Sequence, residues 1–342
     1  MTSAAPSARR ARAGELSPQR LGRIRSRLLA WYEAHGEDFP WRDARNPYWA
    51  LVAGVCSQQT QMPRVLPLWR RWIEAFPTLE ALAAADRAAV LRVWADAGYP
   101  RRALHLQEAA RRCLDVHGGR LPRDEAALLA LPGVGPFTAA IVRSFGFGED
   151  APALDTNVAR VLGRLLHGDL QPARETPPAA LREGARRVLR PGTAARWNPA
   201  LMDYGARVCL PRPRCEECVV ASWCAARPRF AAGEQAEPLR AQPPFEGSDR
   251  QWRGRILAAL RATPQPQPIE RLIAGLATGG MPQSPSPGRL RALLDDLCAE
   301  GFAWRRGGCC GLGAPPGEGA TGADGSDSAS LPGADDGRER DG

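Results

Sequence analysis

Lysine is missing from the chain: all 46 basic residues among its 342 are arginine. That absence excludes any mechanism built on a side-chain amine, whether Schiff-base chemistry or the phosphate-gripping lysine of a P-loop. Long apolar runs are missing too. None approaches the roughly 18 residues a membrane span needs, so no membrane partner is expected. The opening stretch 1–14 is rich in alanine and arginine but lacks the apolar core of an export signal. With no such signal, nine cysteines point to a reducing compartment where thiols are free or metal-bound, and a cytoplasmic location is expected. Alternating, strand-like runs are almost absent before residue 300, so the main body is expected to be all-α.

Charge is plentiful but uneven. Residues 311–342 hold seven acidic residues and two arginines, leaving −5 there and +14 over 1–310. A body that basic favours a polyanion, with nucleic acid the natural partner. Helical spacing is plain in Leu21, Ile24, Leu28, Leu29 and Tyr32, and again in Val158, Val161, Leu162, Leu165 and Leu166. Disorder is expected in a basic tail at 1–14 and an acidic, Gly/Asp/Ser-rich tail at 311–342, with a Pro/Ala/Gln linker at 231–245. Residues 246–310 read as three helices, around Trp252–Leu260, Ile269–Leu276 and Leu290–Cys298, followed by a short strand at Gly301–Arg306. This suits a small winged-helix-like module.

Three motifs carry chemistry. Leu131-Pro132-Gly133-Val134-Gly135 lies between two helical stretches, and its glycines let the backbone turn tightly and expose N–H groups. Such a hairpin is either a plain turn or a phosphate site at a helix N-terminus. Further along, Asp155 opens an amphipathic helix in Leu154-Asp155-Thr156-Asn157-Val158. It is either a helix cap or a carboxylate placed to face developing positive charge. Cys209, Cys215, Cys218 and Cys224 crowd four thiols into one short stretch, leaving core cysteines, zinc and an iron–sulfur cluster as readings.

Together with Pro40-Trp41-Arg42, Gln58-Gln59-Thr60-Gln61, Ala97-Gly98-Tyr99 and Leu201-Met202-Asp203-Tyr204-Gly205, these motifs follow one order. In that order the chain resembles the helix-hairpin-helix DNA glycosylase superfamily, and within it the MutY adenine glycosylases. The resemblance spans roughly residues 20–225. It implies a two-lobed all-α fold, with a six-helix barrel at 38–147 and a [4Fe-4S] lobe built from 15–37 and 148–230. It implies a monomer on double-stranded DNA, at the nucleoid, flipping a damaged or mispaired base out of the stack. By the same resemblance Gln58 and Tyr99 enter the duplex, Gly133 and Gly135 hold a phosphate, and Trp41, Arg42 and Asp203 line the base pocket. Asp155 faces the oxocarbenium-like sugar, Asn157 orients the site, and Cys209, Cys215, Cys218 and Cys224 ligate the cluster.

The chain departs from that pattern in three places. The family's adenine-protonating glutamate falls at Gly54, and Ala44–Ile73 contains no acidic residue to replace it. The gap between the first two cysteines is shorter than usual, and the stretch 246–310 is too short for a MutT-like domain. A lyase lysine expected after the hairpin is Phe137, so a monofunctional hydrolase using water is implied. Its substrate is adenine opposite 8-oxoguanine or guanine, with Asp203 as a replacement acid, or a base that leaves without acid help. Alkylated purines and uracil-type or oxidised pyrimidines are of the latter kind. A lesion-binding protein without catalysis is the third reading. A glutamate at position 54 is expected to fit, since glycine inside a helix costs about 1 kcal/mol relative to alanine.

Overall fold

The computed structural model describes residues 17–237, 243–278 and 285–316. The expected tail at 1–14 lies outside them, as do 238–242 of the linker and 317–342 of the acidic tail. Helix α1 (Pro18–His35) begins at a Ser17 cap, with Pro18 in its first turn, and buries Leu21, Ile24 and Leu28 at the expected spacing. The barrel follows as α2 (Pro40–Asp43), α3 (Pro47–Cys56), α4 (Met62–Ala75), α5 (Leu79–Ala84), α6 (Arg87–Trp94), α7 (Arg101–His117), α8 (Glu125–Leu129) and α9 (Pro136–Ile141). Helix α3 is apolar on every side and fully buried from Ala50 to Cys56, so it serves as the barrel's axis. Its Leu51 shares one core with Trp72, Trp94, Leu106 and Leu128 of the surrounding helices.

Helix α9 runs on into a π-turn at Val142–Gly146, a widening that recurs at functional sites. The chain then leaves the barrel for the second lobe, made of α10 (Thr156–Leu162), α11 (Pro172–Glu175), α12 (Pro178–Val188), α13 (Ala194–Arg207) and α14 (Arg227–Ala231). Helix α1 returns to this lobe, where Ile24 and Leu28 share a core with Val158, Leu162, Trp197 and Tyr204.

The C-terminal module holds α15 (Asp249–Ala262), α16 (Ile269–Ala277) and α17 (Pro287–Ala299), with β1 (Gln267–Pro268), β2 (Ala303–Arg306) and β3 (Cys309–Leu312). The sheet is antiparallel in the order β1-β3-β2, and the β2–β3 hairpin turns through Gly307 and Gly308. Helices and hairpin match the winged-helix-like expectation, but the acidic tail does not begin at 311. Gly311 and Leu312 are buried in β3, paired with Trp304 and Ala303, because Leu312 completes the module's core. That core also takes in Ala88 and Leu91 of α6, and Glu300 bridges Arg101 of α7 (2.7 Å) and Arg253 (2.8 Å). The module is therefore seated on the barrel. No helix among the described residues is long and apolar enough to cross a membrane.

Candidate active site

A cavity of about 900 Å³ is walled by Trp41, Arg42, Gly54, Gln58, Asp155, Asn157 and Asp203, which come from both lobes. Asp155 is the N-cap of α10: its Oδ1 accepts from the Val158 N–H at 2.7 Å and its Oδ2 from Asn157 Nδ2 at 3.2 Å. Cap and cavity carboxylate are thus one geometry, because the cap consumes one lone pair and the side chain still lies on the wall. Burial raises the Asp155 carboxyl above the ordinary aspartate range, with the Val158 N–H, Asn157 and the Arg160 charge pulling the other way. Arg160 fixes Asn157 in turn: its Nη2 donates to Asn157 Oδ1 and to Gly205 O at 2.7 Å each, and its Nε to Cys209 O at 2.7 Å. No sequence motif singled out Arg160, although it stands one helical turn beyond Asn157 on the same face.

Arg42 and Asp203 form a buried bidentate pair across the lobes, Nη2 to Oδ1 at 2.8 Å and Nη1 to Oδ2 at 2.9 Å. Burial pulls the Arg42 guanidinium down, yet the hydrogen bonds and charge of Asp203 hold it above its usual value. The Glu37 N–H donates to Asp203 Oδ2 as well, at 3.2 Å. With both oxygens already accepting charge-assisted hydrogen bonds, Asp203 is ill-suited to the acid role expected of it.

Gly54 lines the cavity where α3 passes α9. A Cβ on Gly54 would stand 3.0 Å from Thr138 Cγ2 and 3.6 Å from Ile141 Cγ2. The expectation that a glutamate fits freely there is therefore corrected: the glycine lets two helices approach closely, and the Thr138 methyl fills the space.

Gln58 is half-buried, and its Nε2 donates to Gly133 O and Thr138 Oγ1 at 3.2 Å each, joining the cavity wall to the hairpin. Tyr99 lies outside the cavity wall, 48% exposed with φ +47°. Gln59, legible in the sequence only as part of its motif, is likewise exposed and has φ +52°. Gly133 and Gly135 are also outside the wall. Gly133 (φ +75°) must be glycine, because a Cβ would fall 2.8 Å from His105 Cβ, whereas a Cβ at Gly135 meets open space.

Cys209, Cys215, Cys218 and Cys224 share one small cavity with Arg164, Arg214 and Arg227. Arg164 Nη1 lies 3.6 Å from Cys209 Sγ, and burial pushes the Cys224 thiol up to about 11. Among the described residues no three His, Cys, Asp or Glu side chains gather tightly enough for a single metal ion. Four soft thiol donors around one cavity lined with arginines are a donor set suited to an anionic metal–sulfur centre.

Residues 52–187 match the family model described as "HhH-GPD superfamily base excision DNA repair protein". An adenine DNA glycosylase of Mycobacterium tuberculosis is 40% identical over 241 residues, 70% of this chain and 79% of that protein. The adenine DNA glycosylase of Homo sapiens is 37% identical over 235 residues, covering 66% of this chain and 42% of its own length. The solved structure of a thermostable thymine-DNA glycosylase superposes with a TM-score of 0.57 at 29% identity, over 63% of this chain and all of that one.

Proposed function

Because the chain belongs to the HhH-GPD superfamily of base excision DNA repair proteins, we propose that it hydrolyses the N-glycosidic bond of a nucleotide flipped from duplex DNA. The observation that carries this reading is Asp155, a partly desolvated carboxylate on the wall of a two-lobed cavity large enough for a nucleobase. As the bond to the base lengthens, positive charge builds on the sugar and Asp155 supplies the counter-charge. Water adds its oxygen at C1′, the base takes the bonding pair, and the proton that water gives up passes to solvent or to the departing base. The chain has no lysine, so no lysine Schiff base follows and no lysine-dependent strand cleavage accompanies base removal.

Adenine opposite 8-oxoguanine or guanine is the first substrate to test, by likeness to relatives of that name. Gly54 favours a second reading. With no acid at that position and Asp203 tied to Arg42, a purine must take its proton from solvent, whereas a cationic alkylpurine or a uracil-type or oxidised pyrimidine leaves without one. Excision assays on duplexes carrying each class of base should give strand breaks only after added alkali. Cleavage of none of them would leave a lesion-binding protein in its place.

The four-cysteine cavity supports a [4Fe-4S] cluster held by Cys209, Cys215, Cys218 and Cys224. When bound, such a cluster supplies a covalent tie across the 209–224 loop. Protein purified without oxygen should be brown and carry about four iron and four sulfide per chain, and zinc alone would overturn the assignment. Cys218→Ser should unfold the loop and cost solubility, since ligation and local folding are coupled.

A further inference from the structure

Arg102, on the first turn of α7, is buried at 8% exposure, and its guanidinium faces no carboxylate among the described residues. It is spent instead on two loops. Its Nη1 lies 3.2 Å from Val55 O, from Cys56 O and from Thr60 Oγ1, and it donates to Gln58 O. Its Nη2 donates to Ala97 O at 3.2 Å and Gly98 O at 3.1 Å. The guanidinium lies near the rings of Trp94 and Tyr99, with centroid distances of 4.9 and 5.6 Å, and Trp94 Nε1 donates to Gly98 O at 2.9 Å. Its charge is met by the last carbonyls of α3, the negative end of that helix.

Two non-glycine residues of these loops have positive φ: Gln59 at +52° and Tyr99 at +47°. Such conformations are rare for these residues and persist only where the surroundings over-determine them. The Gln58 carbonyl accepts from Arg102 while its side chain donates to Gly133 O of the hairpin, so a third loop joins the same network. Among the described residues only Arg102 donates to both the 58–60 and the 97–98 segments.

We propose that Arg102 is a positioning residue that locks the Gln58–Thr60 loop and the Ala97–Tyr99 loop into one rigid unit, so that both enter the base stack together. This rests on the reading of the chain as a base-flipping DNA protein. The planar fork is what the task requires, because a lysine ammonium carries the same charge but cannot reach both loops at once.

The test uses full-length protein and a duplex in which 2-aminopurine neighbours a G·A mispair, so that intrusion into the stack raises its fluorescence. Arg102→Lys should cut the rate of that rise by about 10–100-fold, as expected of loops held slightly out of place. Affinity for undamaged duplex, which phosphate contacts dominate, should stay within about threefold. In a Tyr99→Ala background the Arg102→Lys change should have no further effect on the signal, because the two act through one unit. Thr60→Val, which removes one arm and leaves the guanidinium in place, should lower the rate severalfold at an unchanged melting temperature. A purely structural Arg102 would instead lower the melting temperature alone, with intrusion per folded molecule unchanged by Arg102→Lys. That result overturns the proposal, as does a Thr60→Val protein of wild-type rate should Arg102→Lys fail to fold. Wild-type protein that never raises the fluorescence would sink the base-flipping reading itself, a different result from wild-type intrusion that Arg102→Lys leaves untouched.

Discussion

Asp155→Asn removes base excision, by at least about 10²–10³-fold in single-turnover rate, while leaving DNA affinity within a few-fold. The size follows from deleting a preorganised counter-charge in a partly desolvated site. Asparagine keeps the helix cap: its Oδ1 still accepts from the Val158 N–H (2.7 Å with aspartate), Asn is as good an N-cap as Asp, and only the 3.2 Å hydrogen bond from Asn157 Nδ2 is given up. The pH dependence has a definite sign. Burial raises the Asp155 carboxyl, and the anion is the working form. Activity is therefore full above that raised pKa and is lost as pH falls through it, at a higher pH than an exposed aspartate would show. Stability runs the other way: a carboxyl raised on folding disfavours the native state above its unfolded pKa, so Asp155→Asn should melt no lower than wild type at neutral pH. An Asn variant with full activity on any excised base would reduce Asp155 to a helix cap.

Adding a carboxylate at position 54 should create or greatly increase adenine excision, but only when room is made for it. Gly54→Glu alone pushes its Cβ against Thr138 Cγ2, at 3.0 Å. Thr138 must give by a few tenths of an ångström to admit it, and overpacking of this kind costs about 1–3 kcal/mol, against the roughly 1 kcal/mol gained by losing a helical glycine. The single variant should melt lower and gain little activity. Thr138→Ser removes the crowding methyl and keeps the hydroxyl that accepts from Gln58 Nε2, 3.2 Å away. The pair Gly54→Glu/Thr138→Ser should then raise adenine excision opposite 8-oxoguanine by about 10²–10⁴-fold, the usual reach of a general acid. Rapid adenine excision by the wild type would show that the proton comes from elsewhere. A well-folded pair that gains nothing on adenine, yet still excises another base through Asp155, would settle the substrate as one that needs no acid.

Gly54 shows where reading along the chain stops. The sequence places a glycine at the family's glutamate position and shows no acid within reach, but it does not say what fills the gap. Thr138 is far away in the chain and arrives only when α9 packs on α3. The same holds for Asp203: its motif was legible, whereas the bidentate Arg42 partner, 161 residues distant, sets what its carboxylate can do. In the C-terminal module the three helices were legible from their periodicity. The short strand β1 and the place of Gly311 and Leu312 in β3 were not, since strands of that length are specified by their partners in the sheet.

Sequence alone determined the chemistry that is excluded and the ligands on offer: no lysine nucleophile, four clustered thiols, one carboxylate opening an amphipathic helix. These are properties of residue type and local spacing, and folding does not alter them. Only the tertiary structure decided that Gly54 is a helix contact, that Asp203 is committed to Arg42, and that Arg102 ties two loops together. Each of these depends on groups far apart in the chain coming into direct contact. Contacts of that kind come from packing, which local pattern does not encode.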